Sequence, residues 1–404
     1  MMQSMPRRHG GFSLVELMVS VVIGLLALLF ATRLVVSGET NKDAAIGGSD
    51  SMQNGMLALF SLSGDAGIAG WGLNDRTVSG CDTTFFDQRG YQLLTVKRDG
   101  ADVTPLAPVV IQSNGAEPDV ISFNSGSSNA GVGSMLMTAD YGGENFVVAS
   151  EGSPYGYSPG DVLLVAAQAP DRPCTLMQVS GFMPPPLDTR MTLTTGGVYR
   201  YNQIAGMAQA YKKNVTYMYN LGQPDRLHFH TWSVRNGVLR LRATDLAGAE
   251  AAGTTVVDNV VSIKAQYGFD TRVVSDWNPN PSGNGIDASK VNPLGGIQVT
   301  RWSGDMINAD GDAETGGLGD YQRIAAVRIA VVARSKTAEK PAADGTCSAT
   351  TVLPTVFGGA APASVPAVPV QVNVAVAGDT LNWKCYRYRV FETIVPFLNS
   401  QFRP

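Results

Sequence analysis

Charge is scarce in this 404-residue chain: 16% of its residues are charged, against a usual quarter. With 44% hydrophobic residues, that is not the polar, highly charged composition of a disordered chain. Thirty Lys and Arg against 34 Asp and Glu leave a net charge of −4. There is no basic footprint for nucleic acid, and no nucleic-acid contact is predicted. Histidine is rare, with three in all. No C-x-x-C pair occurs among the four cysteines, which argues against a zinc ribbon or a thioredoxin-like site. Walker A, dinucleotide-glycine and catalytic Cys–His patterns are also missing, so the chain carries no sign of an enzyme. Proline is absent between Pro6 and Pro105, which leaves a long N-terminal stretch free to be helical.

Glycine is plentiful, with 45 residues. High glycine with low charge suits a loop-rich, β-rich extracellular protein, and the length allows one large or two ordinary domains. The cysteines are Cys81, Cys174, Cys347 and Cys385. An even count behind an export signal implies two disulfides in an oxidising compartment. Three connectivities are open and the sequence does not choose among them. The pairing local in sequence, Cys81–Cys174 and Cys347–Cys385, is the expectation.

The N-terminus reads RRHGGFSLVELMVSVVIGLLALLF over residues 7–30. Its apolar run is longer than the core of a secretory signal, and no small-residue cleavage site follows it. About 20 apolar residues span a bilayer. Arg7 and Arg8 would keep the N-terminus cytoplasmic, and Arg33 can snorkel. Neither a signal peptide nor a plain anchor explains Glu16, whose carboxylate resists burial in lipid by a few kcal/mol.

The stretch Gly-Gly-Phe-Ser-Leu-Val-Glu-Leu resembles the prepilin leader of type IV pilins and type II secretion pseudopilins. The resemblance implies that prepilin peptidase cuts between Gly11 and Phe12 and that the new amine of Phe12 is N-methylated. Glu16 then meets the N-terminal amine of a neighbouring subunit, as a docking device. A buried carboxylate is tolerable when paired with a buried cation. The powering ATPase of such a filament must be another protein.

A helical rhythm continues from Glu39 to Gly70, through Ile46, Met52, Met56, Leu59 or Phe60, and Ala66. Gly47, Gly48, Gly55, Gly64 and Gly67 each weaken it by up to about 1 kcal/mol relative to alanine, so tertiary packing has to hold this half. One helix of roughly 50 residues or more is predicted. The alternative is a break near Ser37-Gly38 or Gly47-Gly48. The expected divisions are a leader (1–11), a transmembrane or filament-core helix (12–36), a helix continuation packed on the globular domain (37–72) and a β-rich periplasmic domain (73–404).

From about residue 103 short apolar runs alternate with Gly, Pro, Asn and Asp. Strands are predicted at 109–111, 119–123, 145–150, 161–167, 174–182 and 191–195. Residues 227–234 and 238–245 flank Arg235-Asn236-Gly237, a hairpin signal. Residues 256–270 read as a helical or loop start running into a strand, and 323–335 and 385–397 as long strands. The Ala/Pro-rich residues 337–380 read as an extended surface excursion, with one strand near Val370 to Val376.

Four further segments resemble one branch, the PilW-type minor pilins: LFSLSGDAGIAGWG (59–72), DNVVSIKAQYGFDT (258–271), RIAAVRIAVVARS (323–335) and YRYRVFETIVP (386–396). The implied fold class is α+β, type IV pilin-like: a long N-terminal helix and a β-rich, disulfide-containing periplasmic domain. The implied function is a minor pilin that helps prime type IV pilus assembly at or near the tip. Its partners would be other minor pilins, the major pilin, prepilin peptidase and the inner-membrane assembly platform. A minor pseudopilin of type II secretion and a membrane-anchored, adhesin-like binding protein are the alternatives.

Three patterns bear on other chemistry. Gly-Tyr-Ser-Pro-Gly (156–160) fits the nucleophile-elbow spacing, but a proline and then a strand-like run follow Ser158 where a helix is needed, so it reads as a turn. His228 and His230 share one face of a strand and could share a metal, but no third ligand is identifiable, and a half-exposed strand face is the default reading. Asn308, Asp310, Asp312 and Glu314 place alternating oxygens around a tight turn, as calcium requires, without EF-hand spacing. A solvated loop suits the same residues.

Overall fold

The computed structural model describes residues 13–128, 134–149, 154, 156–168, 173–196, 198–203, 206–272, 297–312 and 314–400; within the long helix, residues 36, 37 and 39–46 are described by backbone alone. One α-helix, Leu14–Ile68, runs unbroken for 55 residues, through Ser37-Gly38 and Gly47-Gly48, where a break was the alternative. It ends at Ile68 rather than at residue 72. Gly70 and Gly72 take positive φ (88° and 74°), which turns the chain into the domain.

Three larger sheets make up the domain. In the first, Tyr388–Pro396 pairs with Ile324–Arg334, which pairs with Val260–Phe269 and then Arg301–Ser303. A second, five-stranded sheet orders Thr254–Asp258, Val238–Ala243, His228–Arg235, Val120–Ser125 and Val109–Gln112. The second half of the helix packs into the core that these two sheets share: Ala58, Leu62 and Ala66 meet Ile121, Trp232, Ile263 and Ile329. Burying a leucine such as Leu62 contributes roughly 1.5–3 kcal/mol, which offsets the poor helix propensity of the glycines. The third sheet has six strands and carries a separate core on each face, one around Leu164 and Tyr219, the other around Val165 and Met218.

The hairpin at Asn236-Gly237 forms as predicted, with positive φ at both residues (53° and 72°), the two-residue turn that suits strand twist. Residues 256–270 differ from expectation. They form two strands, Thr254–Asp258 and Val260–Phe269, hinged at Asn259 (φ 58°). Sequence reading also missed Cys81–Thr84, before residue 103, and the central strand Thr216–Gly222. The latter, TYMYNLG, is bounded by turn residues that the reading passed over: Asn214 before it, and Gly222 and Pro224 at and after its end. The last strand begins at Tyr388, after a 3-10 turn at Trp383–Cys385.

The 337–380 segment is not a plain surface excursion. It holds two short strands, Thr355–Val356 and Val370–Gln371, paired with each other, and the expected strand stops at Gln371 rather than Val376. Val356, Phe357, Val372 and Val374 are buried with Ala330 and Val332, so the segment covers the sheet face opposite the helix. Hydrophobic residues at every second position drive this, because one face of an extended segment must find cover.

Candidate functional site

The first half of the helix stands outside the body of the protein. Leu14–Val35 is a 22-residue apolar span with none of it buried. At 1.5 Å per residue it is roughly 33 Å long, enough for the hydrocarbon core of a bilayer. Its hydroxyls are satisfied within the helix: Ser20 donates to the Glu16 carbonyl, and Thr32 to the Leu28 carbonyl at 3.0 Å. Polar groups bonded in this way are compatible with an apolar environment.

Glu16 is exposed and occupies the third position of the helix, after the extended N-cap Ser13. The Ser13 backbone N–H points at its carboxylate, 3.5 Å away. An acid in the first turn complements the helix dipole, so the position suits a carboxylate in the isolated chain as well. Gly11 and Phe12 lie outside the described residues.

The second half is fastened to the domain by small residues. Gly47, Ser51, Gly55, Ala58, Leu62, Ala66 and Ala69 form a buried stripe at steps of three and four. The Phe391 ring sits on Gly55, where an added Cβ would lie 2.0 Å from Cε2. At Gly47 a Cβ would lie 3.1 Å from that of Ser335. These two glycines therefore permit close approach, whereas Gly64 and Gly67 have nothing within 4 Å. Of the apolar rhythm read from sequence, Ala66 is buried and Leu59 packs against the core, but Met52, Met56 and Phe60 are 47%, 54% and 76% exposed. At Gly47 and Gly55 the sheet approaches too closely for a large side chain, and Met52, Met56 and Phe60 are left on the outer face.

Near the end of the helix, Asp65 joins a four-residue polar cluster. It accepts from Trp232 Nε1 at 2.7 Å and lies 2.8 Å from His230 Nδ1. His230 Nε2 is 2.7 Å from one oxygen of Asp245, and His228 Nδ1 is 2.7 Å from the other. Burial pushes the His230 imidazolium down, but its hydrogen bonds to Asp245 and Asp65 outweigh this and hold it up to about 9. For Asp245, burial raises the carboxyl, and the bonds from His228 and His230 carry it well below the usual carboxylate range.

Asp245 is the partner that sequence reading did not find for the two histidines. The signal was present. The hairpin pairs Arg235 with Val238 and His230 with Ala243, so continuing the count sets residue 245 opposite 228. Asp65 carried no such signal, because only tertiary packing brings the helix end to this strand.

The remaining candidates fall elsewhere. Cys81 is bonded to Cys174, and Cys347 to Cys385. The first bridge joins neighbouring strands, and the second ties the covering segment to the start of the last strand. In the 308–314 loop, side-chain oxygens serve their own backbone. Asn308 Oδ1 accepts from Gly311 N–H (2.7 Å), Asp310 Oδ1 from Asp312 N–H (3.1 Å) and Asp312 Oδ1 from Glu314 N–H (2.7 Å). Glu314 lies 3.9 Å from Arg98. Ser158 is followed by a turn and then the strand Val162–Ala167, so no elbow helix is present there.

Comparison with known proteins gives two matches. Residues 232–399 match the family model described as type IV Pilus-assembly protein W. Residues 6–32 match the prokaryotic N-terminal methylation motif. No curated protein and no solved structure matches.

Proposed function

We propose that this chain, a PilW-type type IV pilus protein by its two family matches, acts as a minor pilin that takes part in priming filament assembly at or near the tip. The observation that carries the reading is the single continuous helix. Its outer half is apolar and entirely exposed, and its inner half is clamped in a folded domain. In a bilayer, lipid covers the outer half. Outside the bilayer, only other helices can cover so much apolar surface without a large cost in water.

The sequence of events we infer uses this chain's own residues. The apolar helix and its leader motif fit a single-pass inner-membrane anchor, with the β-rich domain on the periplasmic side. Cleavage after Gly11 creates a positively charged, methylated amine on Phe12. Glu16, four residues further along, pairs with the corresponding amine of a neighbouring subunit. Pairing relieves the cost of burying the carboxylate and sets the axial register between helices. The exposed Met52, Met56 and Phe60 extend the apolar surface above the membrane, where contact with other minor pilins or the major pilin would bury them. The PilW family is one of assembly proteins rather than a known enzyme class, and the action proposed is binding throughout.

Glu16→Ala tests this reading. Processing at Gly11 is expected to stay intact, because the cut lies five residues away, while surface pili fall sharply. Normal piliation with the variant as the sole copy would remove Glu16 from the mechanism.

A further inference from the structure

We propose that His228, His230 and Asp245 form a binding site for a divalent transition-metal ion of the zinc class, with Asp65 orienting the His230 ring from behind. One ligand atom from each of the three residues lies within 4.8 Å of the others. His228 and His230 are two apart on the strand His228–Arg235, so both rings project from one face of the sheet. Asp245 follows the partner strand Val238–Ala243 and reaches both rings, with one carboxylate oxygen for each.

The ring of His230 calls for a cation. Both its nitrogens face carboxylates, at 2.8 Å and 2.7 Å. A neutral imidazole has one N–H and one lone pair, so one of the two contacts would otherwise set lone pairs against each other. Either a second proton or a metal ion resolves this. With the Nδ1–H given to Asp65, Nε2 is the lone pair presented toward Asp245 and His228. A carboxylate behind a metal-bound histidine is the usual second partner, and Trp232 Nε1 fixes that carboxylate in turn at 2.7 Å.

Two imidazole nitrogens and one carboxylate oxygen form a donor set that suits zinc and its neighbours. Calcium prefers oxygen ligands alone. Ligand bonds of about 2.0–2.2 Å put tetrahedral donors roughly 3.4 Å apart, so the present 2.7 Å contacts would open modestly to admit the ion. The His228 side chain is 38% exposed, which provides a route in from solvent and leaves room for water as fourth ligand. The site stands apart from Glu16 and the apolar first half of the helix, so it survives or fails independently of the filament reading.

The test uses the full chain in detergent, stripped of metal with a chelator and titrated with zinc by calorimetry and with cobalt by visible absorption. One ion per chain is expected, at micromolar affinity or tighter, with tetrahedral cobalt bands and no competition from calcium. His228→Ala should weaken binding at least several-fold, and Asp65→Asn by roughly 10–100-fold. Wild-type protein supplies a check that needs no variant. Zinc should protect the exposed His228 from diethylpyrocarbonate, read by peptide mass spectrometry. Absence of saturable zinc binding, zinc binding unaffected by His228→Ala in folded protein, or an unprotected His228 would each overturn the proposal.

Discussion

The ring of Phe391 lies directly over Gly55, so close that the helix carries no side chain at the contact. This pair joins the helix to the last strand of the sheet, and it turns a residue that disfavours helix into one that the fold requires. Gly55→Ala should therefore destabilise the docked helix even though alanine is the better helix former by about 1 kcal/mol. Overpacking of this kind costs roughly 1–3 kcal/mol. Gly64→Ala is the matched control, since nothing lies within 4 Å of its position, and it should leave stability unchanged or raise it by up to about 1 kcal/mol. Denaturant unfolding of the full chain in detergent separates the two. Equal effects would contradict the close contact.

Much of this fold was legible in the sequence, for reasons particular residues make plain. The helix was visible because no proline interrupts it and its first half is uniformly apolar. The hairpin was visible because Asn236-Gly237 fits only a narrow set of turns. The buried face of the helix was legible only near its end, at Leu59 and Ala66. Its small residues, Gly47, Ser51 and Gly55, carry no hydrophobic signal, while Met52, Met56 and Phe60 do and face outward. The covering role of 337–380 was hidden because its alternating valines are broken by prolines, and only the sheet face beneath explains them. Of the polar cluster, the histidines and Asp245 follow from local register, whereas Asp65 depends on packing alone.

The polar cluster should make stability depend on pH in metal-free protein, with chelator present. His230 is held up to about 9 in the folded state, above the ordinary value near 6.5. Its contribution is then complete below about pH 6.5 and is lost as pH rises toward 9, on the order of 3 kcal/mol in all. Asp245 is depressed, so its contribution is complete above the ordinary carboxylate value and is lost as pH falls below it. Unfolding free energy measured from acid to alkaline pH should plateau between about pH 4 and 6.5 and decline on either side. His230→Gln should flatten the alkaline limb. An unchanged limb in that variant would assign the decline to other groups.

The Cys347–Cys385 bridge closes 38 residues of the segment that covers the sheet. In the chain-entropy model it contributes about 4 kcal/mol. Replacing both cysteines with serine should loosen this segment first, because Val372 and Val374 lose their tether while the helix-side core is untouched. Limited proteolysis should then cut within residues 337–380 before any other part of the domain. Cleavage that begins elsewhere would show that buried valines alone hold the cover in place.

Processing of the chain and its entry into a filament can be read together by mass spectrometry of sheared surface filaments. A peptide that begins with N-methyl-Phe12 is expected, present at low abundance beside the major subunit. Filaments that lack the chain, with the protein retained in the membrane and its leader uncut before Phe12, would contradict the filament reading.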